Sequence, residues 1–169
     1  MKSMTAMTAH DVLFHSMRMA ERIVEAYLGD LGDEELRIPP APGLNSIAHQ
    51  LTHLILTESR IVNAIRPGTS PDLPEGFESL APAEGETEAT RARHLSKDRL
   101  LGLLETQRRA TRGLLESLTA ADLAAPMPEP FRALCPTVGG AFNLAFTHYL
   151  LHAGQWVAVR RQAGKPIVI

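Results

Sequence analysis

An all-α fold, specifically an antiparallel four-helix bundle, is what this sequence predicts. Four long stretches place apolar residues at helical spacing, intervals rich in proline and glycine separate them, and no alternating strand pattern competes apart from the tail Ile167-Val168-Ile169. At 169 residues the chain has the ordinary size of one domain, expected over 1–169, and can bury a core without disulfides.

The first stretch runs from Thr8, with Val12, Leu13, Met17, Ala20, Ile23, Val24 and Tyr27 on an apolar face and Gly29 as the stop. Residues 30–44 contain Gly32, Pro39, Pro40, Pro42 and Gly43, so they connect, with room for one short turn at Asp33-Glu34-Glu35-Leu36. Asn45 and Ser46 are N-capping residues ahead of Ile47, Leu51, Leu54, Ile55, Val62 and Ile65, a helix ended by Pro67-Gly68. The acidic, proline-rich segment 69–85 is long for a plain loop and should cross the bundle surface. A third helix is expected from Thr87 to Leu118, its leucines set among Arg, Glu and Lys. Pro126, Pro128, Pro130 and Pro136 then forbid helix until Thr137 or Gly139 opens the fourth, from Gly140 to Ala163.

Seventeen basic and nineteen acidic side chains give a formal charge of -2, without the basic excess that nucleic acid or an anionic membrane would select. No run approaches the roughly 20 apolar residues of a membrane span, and the start Met1–Ala9 lacks the apolar core of a signal peptide. Cys135, the single cysteine, excludes an intramolecular disulfide. A cytoplasmic protein with a small-molecule substrate is the expectation.

The histidines carry the chemistry. Two of the seven form His49-Gln-Leu-Thr-His53 on the second helix and two form His148-Tyr-Leu-Leu-His152 on the fourth. Spacing i, i+4 stacks both imidazoles on one helical face, where they can reach a single ion. The Glu of the HExxH protease motif is missing, so that chemistry is not supported. Two pairs on helices of one bundle suggest a metal site between helices. On a helical wheel the apolar stripe centres on Leu51, Glu58 and Ile65, and His53 lies to one side, which puts the ion near an edge or end of the bundle. The pattern does not choose between His49 and His53. A site that also used His49 would be closed and structural, and one without it would stay open.

Glu58 sits in the apolar stripe, where an ionised carboxylate needs a partner. It is read either as an ion pair with an arginine of a neighbouring helix or as a catalytic proton acceptor near the metal. Gln155 and Trp156 follow on the flank of the fourth-helix pair, with Trp156 as core or pocket lining. His10, His15 and His94 lack partners at ligand spacing and are read as structural or surface residues. Arg108, Arg109 and Arg112 are read as a solvated face, and Cys135 as a small buried group.

These residues resemble the DinB-like (DinB/YfiT-like) metalloenzyme family. The segment Asn45-Ser-Ile-Ala-His-Gln-Leu-Thr-His53-Leu-Ile-Leu-Thr-Glu58 is similar to the family stretch that places one ligand histidine five residues before a glutamate. The final helix, His148-Tyr-Leu-Leu-His152-Ala-Gly-Gln155 through Gly164-Lys-Pro166, is similar to the family's last helix. The resemblance selects His53 over His49. It implies a metal held by His53, His148 and His152 with water at the remaining positions, nickel or zinc as the ion, and a homodimer. Relatives include enzymes that use a low-molecular-weight thiol such as mycothiol or bacillithiol. The expected function is a metal-dependent transferase using such a thiol, or a hydrolase. The alternative is a non-catalytic metal-binding or stress-response bundle acting as an interaction module.

Overall fold

A computed structural model of the protein describes residues 6–168. Four long helices form the bundle. They are α1 (Ala9–Leu28), α3 (Ile47–Ile65), α5 (Lys97–Ser117) and α7 (Val138–Gln162). Short helices α2 (Asp33–Leu36), α4 (Glu88–Ala92) and α6 (Ala120–Ala124) lie in the connections, with 3₁₀ turns at Phe77–Leu80 and Phe131–Ala133. Side-chain oxygens start the long helices: Thr8, Ser46, Ser96 and Thr137 each accept a backbone N–H from the first turn. None of the described helices is long and apolar enough to cross a membrane.

The expected third helix is in fact two. Chain 87–118 breaks after Ala92 and restarts at Ser96, whose hydroxyl accepts from Arg99 N. The break turns His94 inward, and a competing N-cap within the periodic stretch explains why the leucine pattern alone did not show it. Leu118 caps α5, and α6 forms in what read as irregular chain, behind a Thr119–Asp122 capping box. Ile167 and Val168 are exposed and unpaired, and Ile169 lies outside the described residues, as does most of the Met1–Ala9 start. Among the described residues the one strand-like contact is an antiparallel bridge between Pro126 and Thr137.

Helix directions follow from which ends meet. Tyr27 and Asp30, at the end of α1, contact Arg160 near the end of α7, so these two neighbours run parallel. Glu58 and Arg66 of α3 reach Thr111 and Ser117 of α5, so that pair is parallel as well. Gln50, early in α3, meets Gln155 and Trp156, late in α7, and so the two pairs oppose each other. The bundle is thus antiparallel between pairs, with the order up, down, down, up. Two successive helices pointing the same way demand a return connection as long as a helix of this length, about 28 Å for 19 residues at 1.5 Å each. That is the reason for the long segment 66–96.

The core is aliphatic with an aromatic spine on α7: Phe142, Phe146, Tyr149 and Trp156 are almost wholly buried against Met17, Leu51, Leu54 and Ile55. Two buried charges cross it. Arg160, fully buried, donates Nη1 to the Tyr27 carbonyl at 2.7 Å, forms a two-pronged pair with Asp30, and donates Nε to the Pro166 carbonyl at 2.9 Å. It ties the end of α1, the end of α7 and the tail together. Arg108, expected on a solvated face, is instead buried: its Nε lies 3.3 Å from Glu58 Oε2 and its guanidinium stacks 4.1 Å from the Tyr149 ring centre. Arg109 and Arg112 remain at the surface, paired with Glu105 and Glu21.

Arg160→Ala should lower unfolding stability by at least about 2 kcal/mol, because the Tyr27 carbonyl loses a charged donor. Arg160→Lys should recover less than half, since a single ammonium nitrogen cannot span the Tyr27, Asp30 and Pro166 oxygens that three guanidinium nitrogens reach. Urea denaturation of the three proteins measures both.

Candidate metal centre

α3 and α7 run antiparallel, and this brings the second turn of α3 against the middle turns of α7. His53 from α3 and His148 and His152 from α7 meet there, with one nitrogen from each lying within 4.8 Å of the others. Their ring centres stand 4.9 to 5.6 Å apart, and all three side chains are partly exposed. His148 Nε2 and His152 Nε2 are 3.2 Å apart. Two nitrogens bound to one ion at about 2.0–2.1 Å stand roughly 2.9–3.4 Å apart for angles between octahedral and tetrahedral. The pair therefore already has the spacing of two ligands on a transition metal.

The donor set is also prepared chemically, by Gln50, buried between α3 and α7. The indole Nε1–H of Trp156, which can only donate, donates to Gln50 Oε1 at 2.8 Å. Gln50 Nε2 donates to the Asn45 carbonyl, which can only accept, at 2.7 Å, and to Gln155 Oε1 at 3.0 Å. Those partners leave the carboxamide one orientation. Its Oε1 also faces His152 Nδ1 at 3.1 Å, so Nδ1 must carry the proton and donate it. The lone pair of neutral His152 is then on Nε2, the atom facing His148. Fixing the tautomer of a ligand through its far nitrogen is how surrounding residues set up metal-binding histidines.

Burial favours neutral imidazoles throughout. It pushes His148 and His152 down to about 4, assisted by repulsion between the neighbouring rings, and lowers His53 in the same way, with the Arg60 charge contributing. Neutral imidazole is the ligating form. The chemistry of this donor set fits a borderline-soft divalent ion.

The sequence left His49 and His53 as rivals, and the structure gives them separate neighbours. His49, almost fully buried, leaves the triad to His53 and groups instead with Glu86 and His94. His94 is thus no lone structural histidine. The signal was absent from local spacing because its neighbours come from residues 49 and 86. Gln50 was also missed, although it stands inside the quoted motif. Only Trp156 and Gln155 opposite it show what its carboxamide holds. Glu58 touches none of the three histidines: Oε1 accepts from Thr111 Oγ1 at 2.6 Å, and Arg108 faces Oε2. Of its two sequence readings, the contacts are those of the ion pair. Burial raises its carboxyl group above the ordinary range, against the opposing pull of Arg108 and Thr111. Cys135 is buried, and burial raises its thiol.

Gln50→Leu should weaken metal binding at the triad by roughly 10- to 100-fold without removing a ligand, as read by competition with a chromophoric chelator. A pH effect follows from the lowered histidines. Between the unfolded value near 6.5 and the folded value of about 4, the unfolded chain binds more protons, so stability of the metal-free protein should fall as pH drops through that window. His148→Asn should flatten that slope in thermal unfolding curves recorded from pH 7 to pH 4.

Comparison with known proteins bears on the family and the fold. No curated protein is similar enough in sequence to be matched. A crystal structure described as a conserved protein of Enterococcus faecalis superposes with a TM-score of 0.71 at 19% identity, covering 95% of this chain and 100% of that one, which shows the shared fold. Residues 17–156 match the DinB superfamily, and they include all of α3 and α5 together with His53, His148 and His152. The chain belongs to the DinB superfamily.

Proposed function

We propose that this DinB superfamily protein is a divalent-metal-dependent enzyme acting on a small molecule, with His53, His148 and His152 as the metal ligands. The observation that carries the reading is the fixed tautomer of His152. A buried carboxamide bonded on every side orients one imidazole so that its free lone pair lies 3.2 Å from the next ligand nitrogen. Without an ion the same lone pair accepts a hydrogen bond from His148 Nε2, and an ion would take the place of that proton between the two nitrogens. Nickel and zinc both suit three imidazoles.

The chemistry such an ion supplies is Lewis acidity, which makes a thiol or a water beside it a stronger acid and hence a better nucleophile at neutral pH. Three neutral ligands leave the positive charge undiminished. The chain's own residues hold the nitrogens in place. Gln50 orients His152, while Asn45, Gln155 and Trp156 hold Gln50. Partial exposure of the triad leaves an approach for a substrate, in keeping with an open site. Between the two activities expected, transfer of a low-molecular-weight thiol to an electrophile and hydrolysis, we favour thiol transfer. No carboxylate among the described residues joins the triad's donor atoms, so no anionic ligand would offset the charge of the ion, which favours a thiolate beside it. Glu58, held by Arg108 and Thr111, then serves as a positioning residue that keeps α3 in register with α5.

The test is metal analysis of untagged protein, followed by thiol consumption assays with an electrophilic acceptor and parallel assays with an activated ester. Thiol transfer that appears on loading with nickel or zinc, and falls at least about 100-fold in His53→Ala, supports the reading. Hydrolysis without thiol dependence would replace thiol transfer by the hydrolase. A chain that takes up no ion at the triad would leave the non-catalytic interaction module.

A further inference from the structure

Outside the triad, one other group of side chains has the composition of a metal site. His49 lies in the first turns of α3. Glu86 and His94 come from the connection that returns along the bundle and flank α4. Each has a donor atom within 4.8 Å of the other two, and both histidines are more than nine-tenths buried. Their rings meet edge to face with centres 6.0 Å apart.

Two features of this cluster have no explanation in the fold alone. First, Nδ1 of His49 and Nδ1 of His94 are both buried without a hydrogen-bond partner among the described residues. An unsatisfied buried polar atom costs about 1–3 kcal/mol, and two in one cluster call for a partner that protein atoms do not supply. Second, His94 is oriented as a ligand is. Its Nε2 lies 2.7 Å from Glu86 Oε1 and donates to it, which leaves the lone pair on the orphaned Nδ1. Glu86 is itself held in place and ionised. Ser46 Oγ and Ser46 N donate to its two oxygens and Arg91 Nε lies at 2.9 Å, and together these outweigh the burial that would raise its carboxyl group. A carboxylate fixed behind one imidazole, with a second imidazole alongside and buried lone pairs to spare, is the donor pattern of a cation site rather than of a packed core.

We propose that His49, Glu86 and His94 form a second site for a divalent transition metal, separate from the three-histidine centre, which clips the connection 85–96 to the start of α3. His49 and His94 supply nitrogens, and Glu86 orients His94 and supplies the balancing negative charge. His49 stands one helical turn before His53, so an ion here would also brace the wall of the first centre.

The experiment is a titration of metal-stripped, untagged protein with Co²⁺ and then Zn²⁺, counting bound ions after gel filtration and following the visible absorption of cobalt. The full-length chain should bind about two ions. The triple variant His53→Ala/His148→Ala/His152→Ala should keep about one, and adding His94→Asn or His49→Ala to it should abolish that last ion while circular dichroism stays helical. Glu86→Gln in the triple variant should weaken the remaining ion. A wild-type protein that saturates at one ion, lost in the triple variant, overturns the second site and leaves the proposed function standing. One ion that survives the triple variant and is lost with His94→Asn upholds the second site and removes the first. If a His94 or His49 variant fails to fold, the triple variant alone decides, since its three side chains are partly exposed, and no bound ion there overturns the proposal.

Discussion

The carboxamide of Gln50 is the interaction on which the site depends. It is buried between two antiparallel helices, and every one of its bonds is directional. Nε2 is committed to Asn45 and Gln155, and Oε1 is committed to Trp156 and His152. A rotation of α3 against α7 by one residue would break the three that cross to α7, those with Gln155, Trp156 and His152. The same contact that locks the register of the two helices thus also sets the protonation pattern of a metal ligand. Packing and chemistry are held by one side chain.

On the far side of α3 a second buried polar group fixes the other neighbour. Glu58 reaches across to Thr111 and Arg108 on α5, and Arg108 is sandwiched near Phe146 and Tyr149 of α7. A buried ion pair of this kind adds little net stability over apolar packing, while removal of a single partner is costly because it strands a charge. Its effect is on register: α3 is pinned to α7 by Gln50 and to α5 by Glu58, and His148 is followed in the sequence by Tyr149, the aromatic on which Arg108 rests. The position of His53 relative to the α7 pair is therefore over-determined.

The up, down, down, up order has a consequence for this end of the molecule. Because α5 must start where α3 starts, the chain between them returns the length of the bundle and arrives at the N-terminal end of α3, ahead of His53. It brings Glu86 and His94 over the N-terminus of α3, where Glu86 takes the N–H and hydroxyl of the capping Ser46. The long connection is thus part of the wall around the site, and the break that divides α4 from α5 is what lets His94 face inward.

Local features were legible in the sequence because helical spacing, capping residues and breakers act within a few residues of one another. The apolar periodicity of α1, α3 and α7, the Ser46 cap, the short turn at Asp33–Leu36 and the stacking of His148 on His152 all follow from one helix at a time. The family likeness added the choice of His53. What the tertiary structure alone decided are the matters that need two distant segments at once: the parallel pairing of α1 with α7 and of α3 with α5, the burial of Arg108 against Glu58, the partners of Gln50, and the meeting of residues 49, 86 and 94. A hydrogen bond or a ligand set depends on separations of a few ångströms between atoms, and for residues tens of positions apart that separation is created only when the helices pack.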